Sequence, residues 1–353
     1  MTKTIRPAQG SFLSAAVCLT MLTGTAHASL GNTGSTFGLT PTDIASTQSF
    51  SLFNPQPSAA YYNPAALSGQ HNNEIYSGLL SATPDVTFGD KTFEDATQPI
   101  LLGMNLNLGE MLELPIPMHM GLIAGIENFG SEMMAFDSHT SKNGQLLNYG
   151  EKPLFVAASG SIELYPGLSL GGGAQISLHA KADMKLESEL DGSSAGNENV
   201  LVSAEPVITP IAGFSFDFGK MWCGYDLDCS GDGVTLAGSF RGESYGKAVI
   251  GAKATIPDVV VELPINLTTY DAYQPNIMSA GIRIKKDFFT LAISAEQQEW
   301  SALNALMLKD TVKDQANLGF KDIVVPRVGI EINFSDRLKL LFGASKEESP
   351  LDP

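Results

Sequence analysis

Residues that could support catalytic or metal chemistry are few and scattered in this sequence. Four histidines outside the first 28 residues stand in separate elements, without a cysteine or carboxylate at the spacing of metal ligands. These are His71, His119, His139 and His179. No glycine loop of the phosphate-binding type occurs. The sequence therefore predicts neither an enzyme nor a cofactor or metal site.

An aspartate-rich stretch, DLDCSGDG at 226–233, resembles the start of a calcium loop, with Gly231 at the sixth position. Its oxygen-bearing side chains are Asp226, Asp228, Ser230 and Asp232. The twelfth position is Ala237, where a bidentate glutamate is needed, and it falls within a predicted strand. We interpret the stretch as a turn, with calcium binding as the alternative.

The first 28 residues are predicted to be a cleaved export signal. Lys3 and Arg6 precede the apolar run FLSAAVCLTMLTG, and Ala-His-Ala at 26–28 is a small-x-small cleavage site. The run is too short to cross a bilayer as a helix. A buried core helix is the alternative. The mature chain then starts near Ser29, outside the cytoplasm.

Two cysteines, Cys223 and Cys229, remain in the exported chain after Cys18 leaves with the signal. Disulfides are common in proteins of oxidising compartments, so we expect this pair to be joined. Removing Lys3 and Arg6 leaves 19 basic against 38 acidic residues, a net charge of −19. Such a charge argues against nucleic acid as a partner, because little is present to neutralise phosphates.

The regular elements of the chain show a period of two residues in hydrophobicity. Along residues 168–187, LSLGGGAQISLHAKADMKLE, every second residue from Leu168 is apolar or small, and the intervening residues are polar or glycine. This alternation predicts one strand of about 65 Å, whereas strands of globular domains usually have about 3–10 residues. The same period recurs at 234–243, 289–296 and 327–334.

The connections between predicted strands alternate between short and long. Tight turns are predicted at 165–167, 285–287 and 335–337, and long connections at 83–97, 128–152, 188–199, 253–273 and 300–322. Outer-membrane barrels have short periplasmic turns and long outer loops, whereas a soluble β-sandwich has no reason for this regularity. We therefore predict an all-β, antiparallel transmembrane β-barrel, with a soluble β protein as the alternative. Trp222, Phe214, Phe216 and Phe218 are then an interfacial aromatic girdle.

The segment SAAYYNPAALSG at 58–69 precedes the first predicted strand, and Pro64 prevents a regular element across it. Its residues Asn63, Pro64 and Ala65 resemble the Asn-Pro-Ala signature of the FadL family of outer-membrane channels. Further segments resemble that family in the same order along the chain. They are GIENFG (125–130), PIAGFSFDFG (210–219), VTLAGSFRGES with Arg241 (234–244), WSAL (300–303) and the stretch from Gly319 to the end.

This resemblance implies a fold in which residues 29–70 form a hatch that plugs a barrel of residues 71–353. Tyr61 and Tyr62 are expected to turn apolar, hydroxyl-tipped faces toward the lumen. The family has fourteen strands, and about eleven are counted here between Asn73 and Glu347. An odd number leaves edges unpaired in lipid, so we expect a fragment that lacks about three strands.

The function implied by the resemblance is passive uptake of hydrophobic small molecules, either long-chain fatty acids or hydrocarbons, across the outer membrane of a Gram-negative cell. Outer loops with Met133, Met134 and Phe136 would capture the ligand, because methionine adapts to varied apolar shapes. Lateral release would take place at Asn128, Phe129 and Gly130. The expected partners are this ligand and outer-membrane lipid, with the chain a monomer. The alternatives are a general diffusion porin and a structural or adhesive barrel.

Overall fold

The computed structural model describes most of the chain. The described residues are 33–70, 72–81, 85–88, 91–94, 100–126, 154–189, 199–223, 233–255, 262–310, 319–335 and 338–351. Within them the fold is one large, mainly antiparallel sheet that curves around a compact N-terminal segment, residues 33–70.

The described strands are β1 (Glu74–Leu79), β2 (Asp85–Phe88), β3 (Lys91–Glu94), β4 (Ile100–Asn107), β5 (Met118–Ile126), β6 (Leu154–Tyr165), β7 (Leu168–Glu189), β8 (Asn199–Asp217), β9 (Gly233–Arg241), β10 (Ser244–Thr255), β11 (Glu262–Gln274), β12 (Ile277–Lys285), β13 (Phe289–Gln298), β14 (Ile323–Ser335) and β15 (Leu338–Ser345).

Eleven of these described strands follow one antiparallel path, in the order β1-β4-β5-β6-β7-β8-β9-β12-β13-β14-β15. Strands β10 and β11 form a hairpin beside this path, and the end of β10 runs parallel to the end of β7. Strands β2 and β3 form a separate hairpin. Among the described residues β1 and β15 do not pair with each other, so the sheet is not closed there. The predicted fold, all-β and antiparallel with about eleven strands side by side, is confirmed.

The predicted alternation and the predicted tight turns agree with the structure. Strand β7 covers the whole alternating stretch and pairs with β6 and β8. Two residues connect β6 to β7, and three connect β12 to β13. The end of the sheet with these tight turns is called the turn end below. The opposite end, where β13 leads toward β14, is called the loop end.

Two of the predicted long connections were wrong in part. The connection at 83–97 contains the β2–β3 hairpin, and the connection at 253–273 is mostly the end of β10 and nearly all of β11. Pro264 lies inside β11, opposite Lys253. A proline has no N–H for a ladder hydrogen bond, so within sheets it is tolerated only at particular positions.

The two faces of the sheet have the reverse of the usual polarity. On β7, Leu170 and Ile176 are 42% and 37% exposed, whereas Ser169 and Gln175 are 5% and 1% exposed. A soluble sandwich buries the apolar face of each sheet. Here the inner face, which contacts the N-terminal segment, carries the polar residues, and the outer face presents the apolar residues to the surroundings. This arrangement is typical of a transmembrane barrel.

The N-terminal segment contains short helices: α1 (Thr33–Thr36), α2 (Pro41–Ala45), α3 (Ala59–Tyr62) and a 3-10 helix (Pro64–Gly69). Helix α2 begins with a capping box, in which Thr40 and Asp43 each bond to the other's backbone N–H. Close contacts join the segment to strands from β4 around to β15. The sheet therefore wraps around it.

Three further helices lie in connections between strands: α4 (Leu108–Met111), α5 (Phe218–Cys223) and α6 (Ser301–Asp310). Helices α4 and α5 lie at the turn end and α6 at the loop end. Trp222 on α5 is 93% exposed, as a girdle residue at a membrane interface would be. In the part of the chain that the structure describes, no helix combines the length and hydropathy needed to cross a bilayer.

Candidate functional site

The Asn-Pro-Ala segment connects the N-terminal segment to the sheet through Asn63. The buried Asn63 Nδ2 donates to the carbonyl oxygen of Leu52 at 2.7 Å and to that of Phe214 on β8 at 3.3 Å. Its Oδ1 accepts from the backbone N of Ala65 at 3.2 Å, which caps the 3-10 helix. Pro64 occupies the first helical position, where no N–H is needed. The Asn63 side chain thus holds together the backbone of Leu52, Ala65 and Phe214.

Three glycines of the inner face allow this close approach, and we call them the glycine seam: Gly121 on β5, Gly171 on β7 and Gly213 on β8. A Cβ at Gly171 would overlap the backbone of Pro64 and Ala65, and one at Gly213 would overlap Oδ1 of Asn63. At Gly121 it would lie 2.6 Å from a methyl carbon of Leu67. A larger residue at Gly171 forces the 3-10 helix away from the wall, whereas one at Gly121 or Gly213 displaces the side chain of Leu67 or Asn63.

Hydroxyl contacts reinforce the glycine seam. Ser68 Oγ lies 2.6 Å from Ser169 Oγ on β7, and Ser159 Oγ on β6 donates to the carbonyl oxygen of Ala60 at 2.7 Å. All these groups are neutral and buried. Packing and neutral hydrogen bonds therefore hold this side of the N-terminal segment.

The opposite side of the segment contacts a cluster of buried charges, which we call the charged seam: Arg241 on β9, Glu296 on β13 and Arg327 on β14. Glu296 Oε2 lies 3.2 Å from Nη2 of Arg241, and its Oε1 lies 3.5 Å from Nη2 of Arg327. The three side chains are 1%, 8% and 5% exposed, in the order Arg241, Glu296 and Arg327. One carboxylate therefore balances two buried guanidinium groups.

Each arginine of the charged seam also contacts the N-terminal segment. The Arg241 guanidinium lies over the Tyr61 ring, 4.4 Å from its centroid, which is a cation–π contact. Its Nη1 is 3.5 Å from Ser35 Oγ. Arg327 Nη1 donates to the carbonyl oxygen of Thr47 at 3.2 Å. The two arginines thus hold different parts of the segment.

Tyr61 and Tyr62 lie where the sequence places them, beside the Asn-Pro-Ala signature, but they do not form an open apolar face. Both rings are buried. The Tyr61 hydroxyl donates to Gln274 Oε1 at 3.1 Å, and the Tyr62 hydroxyl donates to the carbonyl oxygen of Gly34 at 2.5 Å. In this structure the Tyr61 side chain bonds the N-terminal segment to β11, and the Tyr62 side chain bonds two parts of the segment together.

A line of hydrogen bonds runs from the charged seam toward the loop end. Gln298 Nε2 donates to Glu296 Oε1 at 2.8 Å, and Trp300 Nε1 donates to Gln298 Oε1 at 2.7 Å. Trp300 is the centre of an aromatic cluster that is buried at the loop end. The cluster consists of Tyr245, Tyr273, Trp300 and Phe320, with Leu303, Ile323 and Val325 packed against it.

A cavity of about 20 Å³ lies beside the charged seam, bounded by Tyr62, Ser279 and Ser294 among others. This volume accommodates about one water molecule.

The interior of the N-terminal segment contains a buried acid, Asp43. Burial raises the pKa of its carboxyl group above the ordinary value, and hydrogen bonds from Thr40 and Ser51 oppose that shift. Both oxygens accept short bonds, at 2.7 Å from Thr40 Oγ1 and at 2.7 Å from Ser51 Oγ. Asp43 therefore organises the segment internally.

A shallow apolar groove of about 570 Å³ lies near the turn end, across strands β5, β6 and β7. Met118, Met120, Ile162 and Leu170 form much of its apolar lining, and small residues of β6 and β7 form its floor. These apolar side chains belong to the outer face, where a bilayer would supply hydrocarbon.

Several predicted site residues lie outside the described residues. These are Asn128, Phe129, Gly130, Met133, Met134, Phe136 and Cys229. Cys223 ends α5, but its side chain is likewise outside the description, so the Cys223–Cys229 disulfide stays a prediction. The stretch considered for calcium lies outside it too, apart from Gly233.

The charged seam and Trp300 were not identified as site residues from the sequence. The signal that could have found them is charge at inward positions of alternating strands. Glu296 and Arg327 both occupy the polar side of such strands, as the period of two predicts. Inward charges surrounded by protein need partners, so these positions predict that each charge is paired, but not with which residue.

Comparison with known proteins gives one strong match by sequence. Alkane uptake protein A of Marinobacter nauticus is 36% identical over 340 residues, which cover 92% of this chain and 74% of that protein. No family model matches the chain.

Two solved structures are similar in overall shape. The toluene transporter TbuX of Ralstonia pickettii has a TM-score of 0.48 at 13% identity, covering 88% of this chain and 87% of its own. The toluene transporter TodX of Pseudomonas putida has a TM-score of 0.40 at 12% identity, covering 84% and 80%.

Proposed function

The chain belongs to the family of alkane uptake protein A, the FadL-type outer-membrane transporters of hydrophobic compounds, and from this premise we propose that it takes up hydrocarbons or long-chain fatty acids by passive diffusion. The relative's name supports an n-alkane as the first ligand to test. The chain is assigned to the outer membrane on the same ground.

The single observation that carries this proposal is the inverted polarity of the sheet. Exposed apolar residues such as Leu170 and Ile176 suit a hydrocarbon surrounding, and buried polar residues such as Gln175 suit a protein-filled interior. A sheet with this polarity in water would expose a large apolar surface, which soluble proteins avoid.

We further propose that residues 29–70 are the hatch of this transporter, that residues 71–353 form its wall and that residues 1–28 are a cleaved signal. The packing of residues 33–70 against strands from β4 to β15 supports the hatch. The loop end then faces the outside of the cell, and the turn end faces the periplasm.

Uptake of this kind needs no energy source. Moving an alkyl chain from water into an apolar site is favourable by about 0.8 kcal/mol per methylene. A long-chain ligand is therefore captured strongly by a modest apolar surface, and its flow follows the concentration difference. The protein has only to remove the ligand from water and to let it pass the hatch.

The capture and release sites remain proposals from the family resemblance. Met133, Met134 and Phe136 would bind the ligand at the outer loops, and Asn128 to Gly130 would release it sideways into the membrane. Asn63, Pro64 and Ala65 would fix the hatch, with Tyr61 and Tyr62 beside them. The partners are the apolar ligand and outer-membrane lipid, and the chain acts as a monomer without enzymatic activity.

A general diffusion pore is the main alternative. A pore needs a water-filled lumen, and the cavity that borders the hatch at the charged seam accommodates about one water molecule. The small size of this cavity favours a gated path for apolar ligands over an open path for polar solutes.

The test is uptake by cells that lack their own hydrocarbon transport. The full chain is produced in the outer membrane, and uptake of radiolabelled n-hexadecane, oleate and toluene is compared with an empty-vector control. A sugar serves as the polar control. We expect faster uptake of at least one apolar compound and no change for the sugar. Uptake of the sugar alone would replace the proposal with the diffusion pore, and unchanged uptake of all compounds would reject transport.

A further inference from the structure

We propose that Glu296 and Gln298 are positioning residues that link the aromatic cluster at the loop end to the hatch, so that displacement of Trp300 by an apolar ligand loosens the hatch. This inference rests on the proposed function, because it requires an alkyl chain to arrive from the outside. It adds a connection between two sites that the uptake proposal leaves separate.

The connection is continuous in the structure. The indole N–H of Trp300 donates to Gln298 at 2.7 Å, and the Gln298 amide donates to Glu296 at 2.8 Å. Both oxygens of Glu296 face arginines, at 3.2 Å for Arg241 and 3.5 Å for Arg327. Every atom in this line is therefore within hydrogen-bond or ion-pair distance of the next.

Beyond Glu296 the line divides and reaches two separate parts of the hatch. Arg241 covers the Tyr61 ring and approaches Ser35 Oγ, and Arg327 donates to the carbonyl oxygen of Thr47. The position of one carboxylate therefore determines how both arginines meet the hatch. A shift of Glu296 changes both contacts together.

Burial makes the line sensitive to displacement. Trp300, Gln298 and Glu296 are all nearly inaccessible to solvent, so bulk water cannot readily replace a lost partner. In such surroundings a polar group without a partner is costly, and linked hydrogen bonds strengthen one another. A displaced indole therefore draws Gln298 into a new position, and Glu296 loses a donor.

The aromatic cluster is chemically suited to an alkyl ligand. Trp300 stacks on Phe320 with ring centroids 6.3 Å apart and planes inclined by 22°, and the Tyr273 ring is tilted against it with the centroids 5.7 Å apart. An alkyl chain gains favourable burial between these rings. To enter, it must move the central ring, which is the ring that is bonded to Gln298.

One turn of the hatch has a strained backbone that is held by its contacts with the wall. Thr47 and Gln48 have φ angles of 49° and 64°, in the left-handed region that non-glycine residues rarely adopt. Arg327 bonds to the carbonyl oxygen of Thr47, and Gln48 Nε2 bonds to that of Ser35 at 3.0 Å. Strained turns persist where surrounding contacts hold them. Weakening the Arg327 contact therefore favours rearrangement of this turn.

The test measures hydrogen exchange of hatch peptides 34–53 in the full-length protein in detergent, with and without n-hexadecane. In the wild type we expect the ligand to accelerate exchange about tenfold. Trp300→Phe keeps an aromatic ring but removes the indole N–H, so it should mimic displacement: exchange without ligand should be about tenfold faster than in the wild type, and the ligand should cause no further acceleration. Glu296→Gln should exchange about tenfold faster with or without ligand.

Trp222→Phe is the matched control, since Trp222 is exposed on α5 at the turn end; it should behave as the wild type. A normal ligand response in Trp300→Phe, or none in the wild type, would overturn the link. Hexadecane uptake by cells separates the two proposals. If the wild type takes up hexadecane but the link fails, transport stands; if it takes up no apolar compound, the proposed function fails.

Discussion

The hatch meets the wall in two contrasting ways. At the glycine seam, on β5, β7 and β8, the hatch lies directly against glycine backbone, at Gly171 with its own backbone, and neutral hydrogen bonds complete the contact. At the charged seam, on β9, β13 and β14, long side chains reach the hatch, and a single carboxylate balances two guanidinium groups. The first contact depends on the absence of side chains, and the second depends on their charge.

This difference indicates which side of the hatch can move. Close-packed contacts lose about a quarter to a half of their attraction when a gap of about 0.5–1 Å opens, so even a small shift weakens the glycine seam. An ion pair has a longer range, and its partners can shift while they stay in contact. We infer that the glycine seam fixes the hatch and that rearrangement takes place at the charged seam.

The largest effect is expected at the glycine seam from Gly171→Val. Its side chain would overlap Pro64 and Ala65, so the 3-10 helix must leave the wall, at a cost of about 5 kcal/mol or more. Gly172→Val is the matched control, because a Cβ there meets nothing closer than 3.9 Å. Limited proteolysis of the hatch in both variants measures the difference. Equal protection would show that the close contact is unimportant.

A smaller loss is expected at the charged seam from Glu296→Ala. It leaves two buried guanidinium groups without their carboxylate, and breaking a buried pair costs about 3–5 kcal/mol. Glu331→Ala removes the partner of the exposed Lys339, 3.3 Å away, and should cost about 1 kcal/mol or less. Stability against denaturant compares the two. A loss no greater than that of Glu331→Ala would contradict the structural role of the charged seam.

Asn63→Ala should have an intermediate effect, because it removes neutral bonds from the fixed side. The loss of the cap and of both donor bonds leaves buried carbonyl groups unpaired, at about 1–3 kcal/mol. Hydrogen exchange of peptides 58–70 reports this change, and Asn72→Ala, at an exposed position just past the segment, is the control. Unaltered exchange in Asn63→Ala would mean that the signature asparagine does not hold the hatch.

The smallest effect is expected from a covalent lock on the fixed side. The hydroxyl oxygens of Ser68 and Ser169 are 2.6 Å apart, so Ser68→Cys with Ser169→Cys places two thiols close enough for a disulfide. If the glycine seam does not move during transport, apolar uptake remains within about twofold of the wild type. Uptake that falls on oxidation and returns on reduction would place the movement at this seam instead.

The parts of the fold that could be predicted from sequence are those determined by residues that are close together in the chain. The alternation along 168–187 determines which side chains of β7 face outward, whatever its partners are, and Leu170 and Ile176 lie where it predicts. The Asn-Pro-Ala signature was recognisable because its three residues are adjacent. Pro264 illustrates the limit, since its effect on strand formation depends on where it lies in the sheet.

The charged seam depends on residues that are far apart in the chain. Glu296 is 55 residues from Arg241 and 31 from Arg327, and only the register of β9, β12, β13 and β14 brings them together. The inward position of each charge was predictable, but its partner was not. The glycines present the same difficulty, because an alternating strand does not reveal which glycine will contact another segment.

The contact between Arg327 and Thr47 spans 280 residues of the chain, and Ser46 lies against Gly343 on β15. The hatch is synthesised before any strand of the wall, yet its binding surface exists only after β14 and β15 have joined the sheet. Contacts so distant in sequence form slowly. A segment that is synthesised early is therefore among the last to reach its native place, and until then its apolar residues must be shielded by other means.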